Sequence, residues 1–498
     1  MIAQGDDKDN NESLLKLALS LAGENGEVSY DIKDENSVLN HKNQKTITED
    51  NVADVFSQQM PANASDPQNV DSLIASQMSR LSVDDREKVY MDVHGISDDV
   101  KESLEMVEHS LVGLQHEIDL LPDKRAYNMA SQLHFNYVQD RDFRLAFLRC
   151  EKFDCQKAAL RIIRHFQMKL DLFGMDKLTM DIVQDDLDAE AMDALYGSFG
   201  RFLNAFDSGG RIINCIFAVP KLYKTDAVLR QGFYNIMTAF RNANIQRRGG
   251  VTVYLAFGDI EQIAVKNNSD RDWKYPKLNQ GTPMRVSAFH LCYNDEVVKE
   301  NFAVSGTSFN KDLKVRTRFF HGMFSSETDS FISTPPFSNP GFSSSFHLGT
   351  VQECLQYLRG HGIDPACIPV NSEGEMTDKL QHCRRLEDQR KYERLNNPPR
   401  STIHVPFSQD VILGKGCPFQ NHPGNKRVRE LVDCFAKRYD KAERGDKKEI
   451  AQEIVDAIKQ SGGYFLKQDG KQWIRVDNKV ARKKVSATFR TQRWIAKS

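Results

Sequence analysis

The sequence predicts an α/β fold, because short apolar runs of strand length alternate with segments of helical periodicity. Four runs carry this pattern, at residues 212–219, 251–257, 285–293 and 316–320. The segment between the first and second runs and the segment between the third and fourth runs are each long enough to cross over a sheet. This length predicts that the strands of each pair are parallel. Helical segments precede the first run. We therefore expect a helical N-terminal bundle followed by a mixed, mostly parallel sheet.

The helical part is predicted to begin near Asp98 with an amphipathic helix whose apolar residues are spaced alternately by four and three. This stripe consists of Val100, Leu104, Val107, Leu111, Leu114, Ile118 and Leu121. Pro122 is predicted to end the helix, and a second helix is expected over residues 125–138. Asp154 is a predicted N-cap of a third long helix, which ends at Gly174. Three heptads followed by further helices favour packing within a bundle over a coiled coil.

Turn and cap signals place the elements around the strands. The glycine-containing turn at residues 207–211 leads into the first apolar run, and Asp226 is predicted to cap the helix that follows it. Residues 324–346 are rich in Ser, Pro and Phe and are predicted to form a loop, followed by a short helix at 350–359. The charged segment 378–393 is predicted to be a solvated helix between domains.

Composition divides the chain into five predicted regions, since 498 residues exceed what one hydrophobic core usually supports. Residues 1–95 are acidic and polar, with too little apolar area to offset the entropy of ordering, and we expect a disordered tail. Residues 96–190 form the helical part and residues 191–375 the α/β domain. A charged linker is expected at 376–404, and a small basic α+β module at 405–498.

Length and hydropathy also bear on location. No apolar stretch approaches the roughly 20 residues that span a bilayer, so no transmembrane segment is predicted and any membrane contact is expected to be peripheral. The acidic N-terminus lacks the pattern of a signal peptide, and Ile2 rather than glycine follows Met1, which argues against myristoylation. These features predict a cytoplasmic protein and also permit a nuclear location. Nine cysteines without a Cys-x-x-Cys pair predict free thiols rather than disulfides or a zinc site.

Charge is distributed unevenly along the chain. Residues 405–498 contain 21 Lys and Arg against 11 Asp and Glu, whereas the rest of the chain contains 46 against 58. This imbalance suggests an anionic partner for the C-terminal region, such as nucleic acid, an acidic membrane surface or the acidic part of the same chain. A solvated charged surface would explain the composition equally well.

Several motifs resemble those of the CRAL-TRIO family, which contains phosphatidylinositol transfer proteins and the tocopherol and retinaldehyde carriers. They are Phe147-Leu-Arg149 with Glu151-Lys-Phe-Asp154, Asp207-x-x-Gly-Arg211, Pro283-x-Arg285 with His290 on the same strand, and Arg318-x-x-His321-Gly322. The four motifs occur in the family's order over roughly residues 98–375. The resemblance implies a helical bundle followed by a sheet that forms the floor of an apolar lipid pocket.

The resemblance, together with the need to hide lipid carbons from water, also suggests which residues meet a ligand. The expected lining residues are Phe289, Leu291, Tyr293, Phe302, Phe309 and Phe319. Arg316 and Arg318 are the expected partners of a lipid head group, because guanidinium groups bind phosphate well. The alternative interpretation is that the aromatic residues are ordinary core and that the arginines are a solvated strand end.

The C-terminal module resembles an uncharacterised domain that recurs in diatom and related algal proteins. The similar residues are Asp410–Gly416, Phe419–Asn425, Gly462-Gly463 and Trp473. Apolar periodicity predicts helices at 426–439 and 447–459, then a hairpin from 464 to 476 and a basic helix at 478–490. Such an arrangement resembles winged helices that dock on DNA, which is an analogy of fold alone. The turn at residues 421–425 is expected to be structural.

No catalytic motif stands out, since the sequence contains no nucleophile elbow, His-Glu-x-x-His or kinase series, and Gly414-Lys-Gly416 lacks P-loop spacing. We therefore expect a protein that is not an enzyme and needs no cofactor or metal. The leading hypothesis is binding or transfer of an amphiphilic lipid, of phosphoinositide or isoprenoid type, at an anionic membrane surface. The alternative is a nucleic-acid-binding regulator that acts through residues 405–498. A scaffold without a cavity is a third hypothesis.

Overall fold

The computed structural model describes residues 68–96, 101–198, 200–217, 223–257, 277–293, 311–321, 351–414 and 416–495, which all fall within one compact unit. Helices α1 (Gln68–Ser79) and α2 (Val83–Val93) lie in the region predicted to be disordered, and that prediction is corrected for residues 68–96. The Ser82 hydroxyl caps α2 by accepting from the amide of Asp85. Val89 and Val93 of α2 are buried against Val315, so α2 is part of the folded body.

A helical bundle follows, as the apolar periodicity predicted. It contains α3 (Leu104–Leu120), α4 (Arg125–Leu133), α5 (Phe135–Val138), α6 (Arg141–Cys150) and α7 (Cys155–Phe173). The predicted helix at 125–138 is divided at His134, whose backbone leaves the helical region. Asp154 caps α7 by accepting from the Lys157 amide, and Gly174 ends it with a φ of 81°, both as predicted.

The central sheet confirms the α/β class and the mixed strand arrangement. Its elements are α8 (Ala189–Tyr196), β1 (Gly200–Phe206), β2 (Ile212–Phe217), α9 (Thr225–Ala239), α10 (Ala243–Arg248), β3 (Gly250–Ala256), β4 (Val286–Tyr293), α11 (Lys311–Lys314), β5 (Thr317–His321) and α12 (Val351–Arg359). The strand order is β1-β2-β3-β4-β5, with β1 antiparallel to β2 and the other neighbours parallel. The four predicted runs are β2 to β5, and β1 is an additional edge strand.

Two aspartates near β2 behave differently from each other. The Asp207 carboxylate accepts from the amides of Gly209 and Arg211, which shapes the predicted turn, and Gly210 has a φ of 71°. Asp226, however, lies inside the first turn of α9, and Lys224 occupies the cap position without a side-chain bond. The prediction that Asp226 caps this helix is therefore wrong.

The last part of the chain contains a long helix and a second sheet. Its elements are α13 (Lys379–Asn396), β6 (Thr402–Ile403), β7 (Val411–Leu413), α14 (Cys417–Asn421), α15 (Pro423–Lys441), α16 (Arg444–Gln460), β8 (Phe465–Asp469), β9 (Gln472–Arg475) and α17 (Asn478–Ile495). The second sheet has the order β6-β9-β8-β7, with the predicted antiparallel hairpin at its centre. Helix α13 is not solvated as predicted, because Arg390, Glu393 and Arg394 are buried at the junction with the C-terminal module.

Candidate functional site

The predicted lining residues of β4 and β5 come together on one face of the central sheet. Phe289, Leu291 and Tyr293 alternate along β4, and Leu291 is paired with Phe319 on the parallel strand β5. Together with Ala256 these four side chains form one apolar cluster, which we call the aromatic face. Leu291 and Tyr293 are fully buried, whereas Phe319 is partly exposed. A sheet face of this kind suits both an ordinary core and the floor of an apolar pocket.

Two other predicted lining residues cannot be placed. Phe302 and Phe309 lie outside the described residues, as does the predicted loop at 324–346. The chain leaves the end of β4 after Tyr293 and is described again from Lys311, at the start of α11. Leu313 of α11 packs against the aromatic face. Four of the six predicted lining residues are thus brought together by the described structure.

Arg316 and Arg318 do not share the aromatic face. Side chains alternate along a strand, and Phe320 of β5 packs with α12 on the opposite face of the sheet. Arg318 is paired with His290 of β4, which also points to that opposite face. The two predicted parts of the site therefore lie on different faces of the sheet, and the assignment of these arginines to a lipid head group stays a prediction.

The opposite face holds a group of histidines around Arg318. The His94 ring, just after α2, is stacked on the His361 ring, just after α12, with a centroid distance of 4.9 Å. The His290 ring lies edge-on to His361 at 5.1 Å and has no exposed surface. We call His94, His290, His361 and Arg318 the histidine–arginine cluster.

Hydrogen bonds in the histidine–arginine cluster are incomplete. Nδ1 of His94 and Nδ1 of His361 lie 2.9 and 3.0 Å from the carbonyl oxygens of Tyr90 and Tyr357. Both ring nitrogens of His290 are buried without a partner in the described part of the chain. Nη1 of Arg318 donates to two backbone carbonyls, and no described carboxylate contacts its guanidinium.

Burial dominates the protonation of this cluster. Desolvation lowers the pKa of His361 to about 4 and also lowers the pKa of His94 and His290, so all three rings are neutral at pH 7. Nearby positive charge, including that of Arg318, adds to the effect. Desolvation also lowers the pKa of Arg318 to about 10, which leaves the guanidinium charged at neutral pH.

Paired charges surround the cluster. Asp92 at the end of α2 accepts from Nε of Arg316 at 2.8 Å, and Nη1 of Arg285 lies 4.0 Å from the same carboxylate. Asp207 accepts from Nε of Arg211 at 2.6 Å, while Nη1 of Arg211 donates to the Asp92 carbonyl. The predicted head-group residue Arg316 is therefore bound to a carboxylate of the protein itself.

Sequence reasoning singled out His290 and Arg318 but missed the residues that meet them. His94 and Asp92 fall in the region predicted to be disordered, and His361 stands between two glycines after a short helix. No spacing rule connects these positions, which lie far apart in the chain. The one usable signal was the presence of a histidine on an otherwise apolar buried strand, because a buried imidazole requires polar partners.

A second group of buried charges lies between the α/β domain and the C-terminal module. Arg394 of α13 donates to Asp185 through Nε and Nη2 at 2.8 and 3.0 Å, and to Asp410 through Nη1 at 2.6 Å. Arg390 donates to Asp185 through Nε at 2.8 Å. All four side chains are nearly inaccessible to solvent, and we call them the junction cluster.

The junction cluster is closely balanced in charge. Arg400 and Lys177 both bind Asp186 beside it, and the buried Glu393 accepts from the Tyr234 hydroxyl at 2.8 Å. Burial raises the pKa of Glu393. Burial alone would raise the pKa of Asp185 as well, but the Arg390 and Arg394 guanidiniums outweigh it and hold that pKa below its usual value. A small cleft opens here, lined in part by Asn397, Pro398 and Tyr464.

The glycine- and asparagine-containing motifs of the C-terminal module are structural. The Asn425 side chain accepts from the Ile412 amide and donates to the Ile412 carbonyl, both at 2.8 Å, and so takes the place of a neighbouring strand beside β7. A Cβ atom at Gly424 would lie 2.0 Å from the Asp410 carbonyl oxygen. Only glycine permits this approach, which explains why glycine stands in the first turn of α15.

The buried core of the C-terminal module leaves its basic residues outside. Ala481, Val485 and Phe489 form the inner face of α17, while Lys479, Lys483 and Arg490 are exposed. Arg493 pairs with Asp440 on α15. The last helix therefore presents a positively charged outer side, as its composition predicted.

Comparisons with known proteins concern the C-terminal module. A family model described as a domain of unknown function (DUF6824) matches residues 410–491. The match is consistent with the expectation of an uncharacterised domain in this region. A search of curated proteins gave no match. Among the described residues, no helix is long and apolar enough to cross a bilayer, and no group of His, Cys, Asp and Glu side chains is suited to hold a metal ion.

Proposed function

We propose that this protein binds an amphiphilic lipid, with the apolar part of the ligand lying on the aromatic face of β4 and β5. The observation that supports this proposal is that Phe289, Leu291, Tyr293 and Phe319, four of the lining residues predicted with the CRAL-TRIO resemblance, lie in one apolar cluster. β2 and β3, which lie in the predicted runs 212–219 and 251–257, also form the expected parallel pair. The function is binding or transfer rather than catalysis.

The physical basis is burial of hydrocarbon. Each methylene group removed from water contributes about 0.8 kcal/mol, so even a short stretch of acyl or isoprenoid chain against aromatic rings gives substantial affinity. Phe319 is the partly exposed member of the cluster and lies on the edge strand β5. It is therefore the side chain best placed to contact a ligand without supporting the rest of the core.

The test compares two neighbouring phenylalanines that point to opposite faces. The full chain is incubated with vesicles that contain phosphatidylinositol, phosphatidylcholine and a polyprenyl alcohol, and bound lipid is identified by native mass spectrometry. Phe319→Ala should reduce lipid loading several-fold, because it removes part of the aromatic face. Phe320→Ala, which alters the α12 side of the same strand, should retain loading.

Folding of both variants is checked by circular dichroism, since truncation of a buried phenylalanine costs about 3–5 kcal/mol of stability. Folded parent protein that acquires none of the three lipids would overturn the proposal. Equal loading of the two variants would remove the aromatic face from the binding site.

A second candidate function is nucleic-acid binding by the C-terminal module, favoured by the exposed basic side of α17. Replacement of Lys483 and Arg490 by Glu should abolish a gel shift of DNA or RNA, and binding to the parent chain should weaken steeply with salt because counterions are released. Lys379→Glu, an exposed change on α13, is the matched control. No shift with the parent chain at low salt would exclude this function.

A further inference from the structure

One guanidinium of the histidine–arginine cluster, that of Arg318, has no carboxylate partner among the described residues. Charged and titratable groups of the described residues face the cluster from five places in the fold. They are Asp92 and His94 at the end of α2, Asp207 and Arg211 in the turn before β2, Arg285 just before β4 with His290 within it, Arg316 just before β5 with Arg318 within it, and His361 after α12. Among the described residues, Asp92 contacts Arg285 and Arg316, and Asp207 contacts Arg211, whereas no described carboxylate contacts Arg318.

His290 indicates that the cluster is incomplete. A buried polar group without a hydrogen-bond partner costs about 1–3 kcal/mol, so such groups are rare in native proteins and usually mark a bound water or ion. His290 is wholly buried and has two such nitrogens. Because the nearest formal charge without an anionic partner is a guanidinium, an anion fits the local electrostatics better than a water molecule does.

The hydrogen bonds of the other two rings define the chemistry of that anion. A carbonyl oxygen only accepts, so Nδ1 of His94 and Nδ1 of His361 carry the proton, and Nε2 of each neutral ring is an acceptor. An anion that carries a proton can donate it to Nε2. An anion without a proton would place a negatively charged oxygen against the lone pair of Nε2, which is unfavourable. A phosphate monoester, whose second pKa is near 6, carries such a proton over part of this pH range, and inorganic phosphate carries at least one proton throughout it, whereas a phosphodiester anion carries none.

We propose that the histidine–arginine cluster binds a phosphate monoester group, with Arg318 and His290 contacting the phosphate oxygens and His94 and His361 sharing its proton. The site lies on the face of the sheet opposite the aromatic face and does not depend on the proposed lipid site. Binding places a negative charge beside neutral imidazoles, which raises the histidine pKa values in the complex. Protons are therefore taken up on binding, and affinity rises as the pH falls from 7.5 to 6.

Two sources of this chemistry are a soluble phosphate and the monoester of a phosphoinositide head group. Inorganic phosphate represents the first, and vesicles with phosphatidylinositol 4-phosphate in phosphatidylcholine represent the second. Loss of both interactions in Arg318→Gln identifies a head-group site. Loss of phosphate binding with unchanged vesicle binding identifies a site for soluble phosphate. Either result supports the monoester site.

The experiment is isothermal titration calorimetry of the full chain with inorganic phosphate at pH 6 and pH 7.5, with ionic strength held constant by sodium chloride. Two buffers with different ionisation enthalpies measure the protons taken up. Arg318→Gln should weaken binding about tenfold or more, because a charge-assisted hydrogen bond is lost. Arg359→Gln, an exposed change at the end of α12, should leave the affinity unchanged.

His361→Asn provides a second variant that retains a donor to the Tyr357 carbonyl. It should reduce proton uptake while phosphate still binds. The proposal is overturned if the parent chain does not bind phosphate at pH 6, if Arg318→Gln binds as the parent does, or if dimethyl phosphate binds as tightly as inorganic phosphate.

Discussion

The junction cluster and the histidine–arginine cluster are both groups of buried charge, but they differ in how those charges are satisfied. In the junction cluster, Arg394 binds two carboxylates and also lies over the Tyr464 ring, 4.5 Å from its centroid. In the histidine–arginine cluster, Arg318 binds only backbone carbonyls and His290 binds nothing in the described part of the chain. Within the described residues, the first group has partners for its charges and the second has groups without one.

This difference indicates what each group does. Removing a charge from water costs several kcal/mol, and only close partners compensate for it. The junction cluster obtains that compensation from residues of three regions of the chain, so its role is to join the C-terminal module to the α/β domain. Among the described residues, Arg318 and His290 lack such partners, which is the property expected of a site that a ligand completes.

The largest expected effect is at the junction. Arg394→Met should lower the free energy of unfolding by about 3–5 kcal/mol, because Asp185 and Asp410 are left buried without their shared partner. Urea unfolding followed by far-ultraviolet circular dichroism measures the change. Arg438→Met is the matched control, since Arg438 and Glu453 form an exposed pair, and it should cost no more than about 1 kcal/mol. Equal effects of the two substitutions would show that the junction cluster is not the structural joint described here.

The next effect is a pH dependence that arises from the incomplete cluster. The pKa of His361 is about 4 in the folded chain and 6.5 in an unfolded one, so the unfolded state binds the proton first as the pH falls. The contribution to stability is fully present above pH 6.5 and decreases toward pH 4, by about 2 kcal/mol at pH 5. Desolvation lowers the pKa of His361 most, and the nearby His94 and Arg318 lower it further.

His361→Asn isolates this contribution. The measured quantity is the difference in unfolding free energy between the variant and the parent at pH 8 and again at pH 5, both in sodium chloride without phosphate. The variant should gain about 2 kcal/mol relative to the parent between the two pH values. A difference that stays constant with pH would mean that the ring is accessible to protons in the folded chain.

The two clusters also show how much the sequence alone could predict. Apolar periodicity identified the main helices of the bundle and the four parallel strands, because helix and strand periods are local properties of the sequence. Alternation likewise placed Phe289, Leu291 and Tyr293 on one face. The same alternation places Arg318 and Phe319, which are neighbours on β5, on opposite faces of the sheet.

The partners of the buried charges could not be predicted in this way. Asp185 and Arg394 are more than two hundred positions apart, and α13 has an almost uniformly polar sequence that resembles a solvated helix. The sequence did not predict helix α2 because Val89 and Val93 are its buried residues, and two apolar positions do not stand out in a polar region. In both cases tertiary contacts, rather than local patterns, determine burial.

A smaller effect is expected for the coupling energy between Arg394 of α13 and Asp410 of the C-terminal module. In a double-mutant cycle of Arg394→Met and Asp410→Asn, the double variant should be more stable than the sum of the single changes predicts, by about 1.5 kcal/mol. The reason is that each single change leaves a buried group without its partner. The same cycle on Arg438 and Glu453 should give no more than about 0.5 kcal/mol. A coupling as small as that of the exposed pair would contradict a direct interaction between Arg394 and Asp410.

The smallest effect on stability is expected where the charge is unpaired. Arg318→Met removes a half-buried cation that no described carboxylate neutralises, so the hydrogen bonds lost to the Val315 and Thr317 carbonyls are offset by relief of desolvation. The free energy of unfolding without phosphate should therefore change by less than about 1 kcal/mol, in contrast to Arg394→Met. Saturating phosphate should stabilise the parent chain but not this variant, since only a ligand bound to the folded state shifts unfolding. A loss of 3 kcal/mol or more without phosphate would mean that Arg318, like Arg394, already has its partner within the protein.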